Sequence, residues 1–288
     1  MSRLRRRPPA RGFTLVELIV SLLLGTLVLG AAGQVFLATE RFLRLQSSRL
    51  EVQEAVRTAI QVLESELREL DPSGGDIVAM GRDSISIRAT RGLAFVCAPT
   101  DPSGGRVVVR SDIGSAYRDV DPARDRALVY RDGDPASETG DAWLDLGIAS
   151  AGAPAACSDG TPGAELRLLG STGALDSVEL GAPVRWYERT VYRLYADETG
   201  TWWLGERSWS GGAWAAISPV AGPLQHPLGL DLSYLDASGA PTTEPSRVAE
   251  IGLMVRGVGT MLLQAAGGRQ SHWADSLATV VFPRNGRR

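Results

Sequence analysis

The stretch "RGFTLVELIVSLLLGTLVLG", residues 11–30, decides how the chain is read. From Phe13 to Ala38 a single charged residue, Glu17, interrupts an otherwise uncharged, mainly apolar run. As a helix, that run is long enough to cross about 30 Å of hydrocarbon. Five arginines precede it (Arg3, Arg5, Arg6, Arg7 and Arg11), with no acid among residues 1–12. Positive charge is retained on the cytoplasmic side, so the C-terminal body is expected to be translocated. A removable secretory signal has a basic start and an apolar stretch too, and Ala31-Ala32-Gly33 could pass for its cleavage site. The run is long for such a signal, however, and continues without a break into a second helical pattern. A plain single-span anchor with a stray glutamate is the other simple reading.

That second pattern runs from Gln34 to Leu70, without glycine or proline. Leu45, Val52, Val56, Ile60, Leu63, Leu67 and Leu70 recur mostly three or four apart, which marks one face of an α-helix. Arg49, Glu54, Arg57, Glu64 and Arg68 fill the other faces. Asp71-Pro72 and then Ser73-Gly74-Gly75 end it, because proline cannot continue the hydrogen-bond ladder. The prediction is one helix from about Thr14 to Leu70, roughly 85 Å long. Its first half is apolar all round. Its second half needs a partner surface along one stripe. Gly25, Gly30 and Gly33 would loosen the helix locally or allow close packing with another.

A lone acid deep in a spanning helix costs about 2.5–3.5 kcal/mol on insertion scales, and such residues usually find a partner. No basic residue lies within helical reach of Glu17 after Gly12. The segment "RGFTLVELIVSLL" resembles the type III signal of type IV prepilins and pseudopilins: a short basic leader ending in Gly, then Phe, then Thr-Leu-Val-Glu, then a long apolar helix. The resemblance implies that a prepilin peptidase cuts between Gly12 and Phe13 and N-methylates Phe13. It also implies that the helix later leaves the inner membrane for a filament. Glu17 would then pair with the new α-amine of a neighbouring copy and set the register of assembly.

Residues 34–70, "TVYRLYADETGTWWLGERSW" (190–209), "GLDLSYLDASGAPTTEPSRVAEIGLMVRG" (229–257) and "SLATVVFPRN" (276–285) resemble minor components of PilW type or PulJ/GspJ type. The stretch from Pro72 to Pro183 is left unmatched. The resemblance implies a minor pilin priming or capping a type IV pilus, or a minor pseudopilin of a type II secretion system. Its partners would be the major pilin and other minor pilins or pseudopilins. A pilin-tethered adhesin or binding module is a reading of a different class. The expected organisation is a cleaved leader (1–12), a membrane or filament-core half-helix (13–38), an amphipathic half-helix (39–70) and a β-rich domain (71–288). The expected topology is single-pass in the inner membrane, with the N-terminus cytoplasmic and the body periplasmic, followed by a place in a pilus or pseudopilus.

The expected fold class is α+β, a pilin-like long helix packed on a mainly antiparallel sheet body with a loop-rich insertion. Alternation predicts strands at Asp83–Ala89, Arg106–Asp112, Ala127–Asp134, Ala164–Gly170, Thr190–Tyr195, Thr201–Trp209, Ala213–Ile217, Leu228–Tyr234, Ala249–Val255 and Thr279–Phe282. The segment from Pro99 to Pro183, rich in Gly, Ala, Asp and Pro, reads as an insertion or a second small sheet with short strands. Asp-Pro-Ser-Gly-Gly occurs at 71–75 and 101–105 and reads as turn chemistry at two corners.

Removing the five leader arginines from the formal charge of −3 leaves about −8 on the rest, which gives no case for nucleic-acid binding. All thirty basic residues are arginine. Cys97 and Cys157 form a disulfide if this part of the chain is exported, or else stand as two separate buried thiols. Asp119, Asp121 and Asp125, followed by Asp132 and Asp134, form a weak calcium candidate that lacks the glycine and distal glutamate of an EF-hand loop. Solvated turn carboxylates are the plainer reading, and no cofactor is expected. Trp202, Trp203, Trp209 and Trp214 could form a shelf for sugar or protein. Packing of sheet on helix is the commoner use, with Trp203 and Trp209 on one face and Trp202 partly exposed. His226 and His272 have no companions in a catalytic arrangement, so the chain is not expected to be an enzyme.

Overall fold

The computed structural model describes residues 14–133, 140–170, 172–264 and 270–284. One long helix, α1 (Leu15–Arg68), precedes thirteen strands among these residues. The chain divides into two compact units, Met1–Leu50 and Glu51–Arg288, and α1 begins in the first and ends in the second. In the first unit every described residue from Thr14 to Thr39 is exposed. This is what an all-round apolar surface requires if its solvent is lipid or neighbouring helices.

The second unit is built on the stripe of α1. Val52, Val56, Ile60, Leu63, Leu67 and Leu70 are buried, joined by Ala55 and Ala59. Two sheets cover them. The larger contains β1 (Ile77–Met80), β2 (Ser84–Val96), β3 (Arg106–Ala116), β4 (Asp125–Arg131), β5 (Ala142–Ala156), β6 (Pro162–Leu169), β7 (Pro183–Ala196), β8 (Trp202–Ser210), β9 (Ala213–Trp214) and β10 (Ser218–Ala221). The smaller is the antiparallel set β11 (Leu230–Leu235), β12 (Glu250–Gln264) and β13 (Gln270–Val281). Ile85, Ile87, Tyr192, Leu194 and Leu204 of the first sheet join Leu230, Leu232, Ile251, Leu253 and Val255 of the second in one core with the helix stripe. The approach is close: a Cβ on Gly257 of β12 would lie 2.8 Å from methyl groups of both Val52 and Val56.

The segment from Pro99 to Pro183 departs from expectation. It is neither a separate small sheet nor made of short strands. The far half of β2 pairs with β3, and the order β3-β6-β5-β4 then leads to the near half of β7, which pairs back on β2. Six strands therefore close a barrel, with Val107, Val109, Ala127, Val129, Leu146, Ile148, Leu166, Leu168, Val184 and Trp186 filling it. Leu175, from a 3-10 turn at Thr172–Ser177, adds to this core and is fully buried. Insertion is the right word in one respect: Phe95 and Pro183 are cross-strand partners, so the chain leaves β2 and re-enters β7 at the same place. The alternation test overlooked β5 because its sequence, AWLDLGIASAGAPAA, is poor in β-branched residues; pairing to β4 and β6 holds it. The strand expected at Ala213–Ile217 shrinks to Ala213–Trp214, and β10 follows it.

The two Asp-Pro-Ser-Gly-Gly corners are the same turn. Asp71 Oδ1 accepts from the Ser73 hydroxyl and the Gly74 N–H, and Asp101 Oδ1 does so from Ser103 and Gly104. A disulfide joins Cys97, just past β2, to Cys157, just past β5, with a sequence separation of 60. These strands are not neighbours in the barrel, so the bond straps across β3 and β6. Closing a loop of this length stabilises by about 2–5 kcal/mol. The double variant Cys97→Ser/Cys157→Ser should lower the free energy of urea unfolding by that amount and shift the midpoint down, and an unchanged midpoint would show that the strap contributes nothing.

Candidate assembly site

Gly12 and Phe13, the residues of the expected cleavage, lie outside the described residues. The described segment begins at Thr14, whose Oγ1 accepts the backbone N–H of Glu17 at 3.3 Å. Thr14 thus caps the helix, and Glu17 stands three residues on, in its first turn. Sequence reasoning about Glu17 as an assembly residue passed over this local role, although Thr-x-x-Glu is a capping signal. An acid here also meets the positive end of the helix dipole. Downstream, the hydroxyls of Ser21, Thr26 and Thr39 donate to the carbonyls of Leu18, Leu23 and Val35 on the same helix. These three hydroxyls are therefore satisfied within the helix. Among the described residues the Glu17 carboxylate has no hydrogen-bond or ionic partner, and Leu15, Val16, Leu18 and Ile19 beside it are exposed. α1 is long and apolar enough at this end to cross a membrane.

The acids of the body behave differently. Asp125, the innermost member of the calcium candidate, is buried at the start of β4, and Arg118 holds both its oxygens at 2.7 Å. Its Oδ2 also accepts the Asp121 N–H. Asp119 offers its carbonyl, not its carboxylate, to Arg118. Asp132 is described but Asp134 is not. Among the described residues no three Asp, Glu, His or Cys side chains converge as a metal-ligand set.

Asp125 belongs to a larger array that the sequence reading missed. Glu188 of β7 is 2% exposed and receives Arg124 at 2.6 Å, Arg118 at 3.1 Å and Arg91 at 3.2 Å. Arg91 also grips both oxygens of Glu66 on α1. The array thus ties the helix to β2, β7 and the mouth of the barrel. Burial pushes the Glu188 pKa up, but hydrogen bonds from Arg124, Ser208, Arg118 and Arg91 outweigh it and bring the value down to about 2. For Glu66 burial wins over Arg91, and its pKa is raised. The sequence signal for Glu188 is a lone acid on the parity of β7 that carries Val184, Trp186, Tyr192 and Leu194.

Trp203 and Trp209 do share a face, but it is the outer one. Trp202 is partly exposed, as expected, yet it is the tryptophan whose face packs against the main core, because Leu204 sets the inward parity of β8. His226 stacks on Trp202 at 3.8 Å. Trp203 donates from Nε1 to Asp197, and His272 Nδ1 lies 2.7 Å from the Gly259 carbonyl.

A carboxylate with a depressed folded pKa stabilises above its unfolded value and loses that contribution as pH falls through the folded one. For Glu188 the window runs from about pH 4.5 down to about 2. Glu188→Gln should therefore cost about 3 kcal/mol at pH 7 by urea unfolding. The gap between variant and parent should close as pH falls through that window, whereas a pH-independent gap would assign Glu188 a packing role alone.

Residues 7–33 match the family model described as the prokaryotic N-terminal methylation motif. No curated protein and no solved structure matches the chain. The matched segment covers the end of the basic leader from Arg7, then Gly12, Phe13, Glu17 and the apolar run through Gly33. It supports a type IV pilin-like prepilin signal at the head of a long helix that leads into an antiparallel β body.

Proposed function

We propose that the chain is a minor pilin of PilW type. It is held in the inner membrane by residues 13–38 with its body in the periplasm, and is then drawn into a type IV pilus at or near the tip. The observation that carries this reading is the Glu17 carboxylate, without a partner among the described residues in the exposed apolar half of α1, within the segment that matches the methylation motif. An isolated acid in that setting is unfavourable, and a neighbour's α-amine relieves it. Prepilin peptidase supplies that amine by cutting between Gly12 and Phe13 and methylates Phe13. The size of the β body favours a minor over a major component. The protein acts as a structural subunit, not a catalyst.

Gly12→Ala should leave an uncut precursor in the membrane, and a normal mature N-terminus by mass spectrometry would refute the site. Glu17→Ala and Glu17→Gln should both insert and be cut yet fail to enter filaments. Wild-type incorporation of either, measured by immunoblot of sheared filaments, would remove the register role. Deletion should abolish surface fibres; loss of protein secretion with fibres intact would instead assign the chain to a PulJ/GspJ-like pseudopilus.

A further inference from the structure

The tryptophans suggested a shelf, and the structure joins two of them to an arginine-rich surface. On β7, Trp186, Glu188, Thr190 and Tyr192 point inward and are buried. The opposite parity carries Arg185, Tyr187, Arg189 and Arg193. Arg207 and Trp209 of β8 share that outer face, and Trp214 of β9 meets Trp209 edge-on at 5.3 Å. Arg189 lies 5.5 Å from the Trp209 ring and 5.8 Å from Trp214, and Arg207 lies 5.0 Å from Trp214.

Two features mark this face as unfinished. Arg88 of β2 stands directly opposite Arg189 in the β2–β7 ladder, and like charges in that relation repel. Arg185 is held by Asp76 at 2.7 Å, and the carboxylate that lines the cleft is Asp145, at 3.4 Å from Arg88 and 2.8 Å from Arg126, with the Tyr187 hydroxyl donating to it at 2.8 Å. Among the described residues Arg189, Arg193 and Arg207 have no carboxylate partner. Arg88, Arg126, Tyr187, Arg189 and Trp209 line a cleft of about 400 Å³ together with Asp145 and Val78. The cleft holds more positive than negative charge although the exported part of the chain is acidic overall. Its volume suits a small group and is at the lower end of ligand clefts, about 300–1,000 Å³.

The chemistry narrows the ligand. A guanidinium over an aromatic ring keeps the in-plane N–H donors that match a carboxylate. The same placement occupies ring faces on which nucleobases would stack, which disfavours single-stranded nucleic acid. Asp145 is an acceptor set among donors, suited to ring hydroxyls and repelled by a bare polyanion. We propose that this cleft binds a carboxylate-bearing sugar unit of an acidic polysaccharide, with Arg189 holding the carboxylate and Trp209 flanking the ring. The proposal rests on the pilin reading only for the body's exposure outside the cell. Binding is a property of the purified chain, so the two ideas fail separately.

The test uses the full chain in non-ionic detergent, titrated with oligogalacturonate and followed by tryptophan fluorescence and calorimetry. Saturable one-site binding is expected, weakening as salt rises and falling about tenfold or more in Arg189→Ala. Arg110→Ala, outside the cleft, should bind as the parent does, and a neutral glucan oligomer should not bind. Should Arg189→Ala disturb the tryptophans, Arg189→Gln and Trp209→Phe give the same reading with less loss of packing. No binding, or equal binding by parent and Arg189 variants, would overturn the site. Equal binding of oligoglutamate or oligothymidylate would overturn the sugar assignment and leave an unselective anion surface.

Discussion

Burial of one stripe of α1, from Val52 to Leu70, is the constraint on which the body depends. A helix alone cannot hide that stripe, and one sheet covers only part of it. β1, β2, β7, β8 and β10 contribute one apolar layer and β11–β13 the other, and their inward residues share one core with the stripe. Once β2 and β7 are fixed there, their remaining lengths project past the helix. The barrel strands close on those projections and bury the second core. The Arg91–Glu188 array sits where the two cores meet. Arg91 bonds both the helix through Glu66 and the barrel mouth through Glu188, so ion pairing joins what hydrocarbon packing treats separately.

Two glutamates meet the same physical problem with opposite outcomes. Glu188 is taken out of water and given three guanidinium partners from its own chain, so its charge is retained at low cost. Glu17 stands on the apolar half of α1 with a helix cap for its backbone and, among the described residues, no partner for its carboxylate. A fully satisfied acid stabilises a fold that is complete. An acid left exposed among apolar side chains is costly in hydrocarbon unless a partner reaches it, which is the premise of the proposed assembly role.

The long helix and the β11–β13 core were legible because their apolar periods are unbroken: three-to-four spacing from Val52 to Leu70, and strict alternation at Leu230, Leu232 and at Ile251, Leu253, Val255. The methylation signal was legible for a different reason, since its residues are contiguous. The barrel was not. β5 carries alanine, glycine and proline where a solitary strand would need branched side chains, and its two neighbours supply the order that its own sequence lacks. Closure also depends on β2 and β7 each changing partners midway, a fact of register that no local pattern encodes. Glu188, Arg91 and Glu66 come from three distant segments. The inward direction of Trp202 followed from Leu204, but which parity faced the helix had to come from the fold.

The pairing of Phe95 with Pro183 has a further consequence. Everything between them leaves and returns through one doorway, so β2 and β7 remain adjacent strands whatever the intervening chain does. A shorter connection in place of residues 97–182 would forgo Arg118 and Arg124, which reach back from this segment to Glu188. The layer on the helix and the barrel are therefore joined at one crossing, and each supplies part of the charge balance that the other buries.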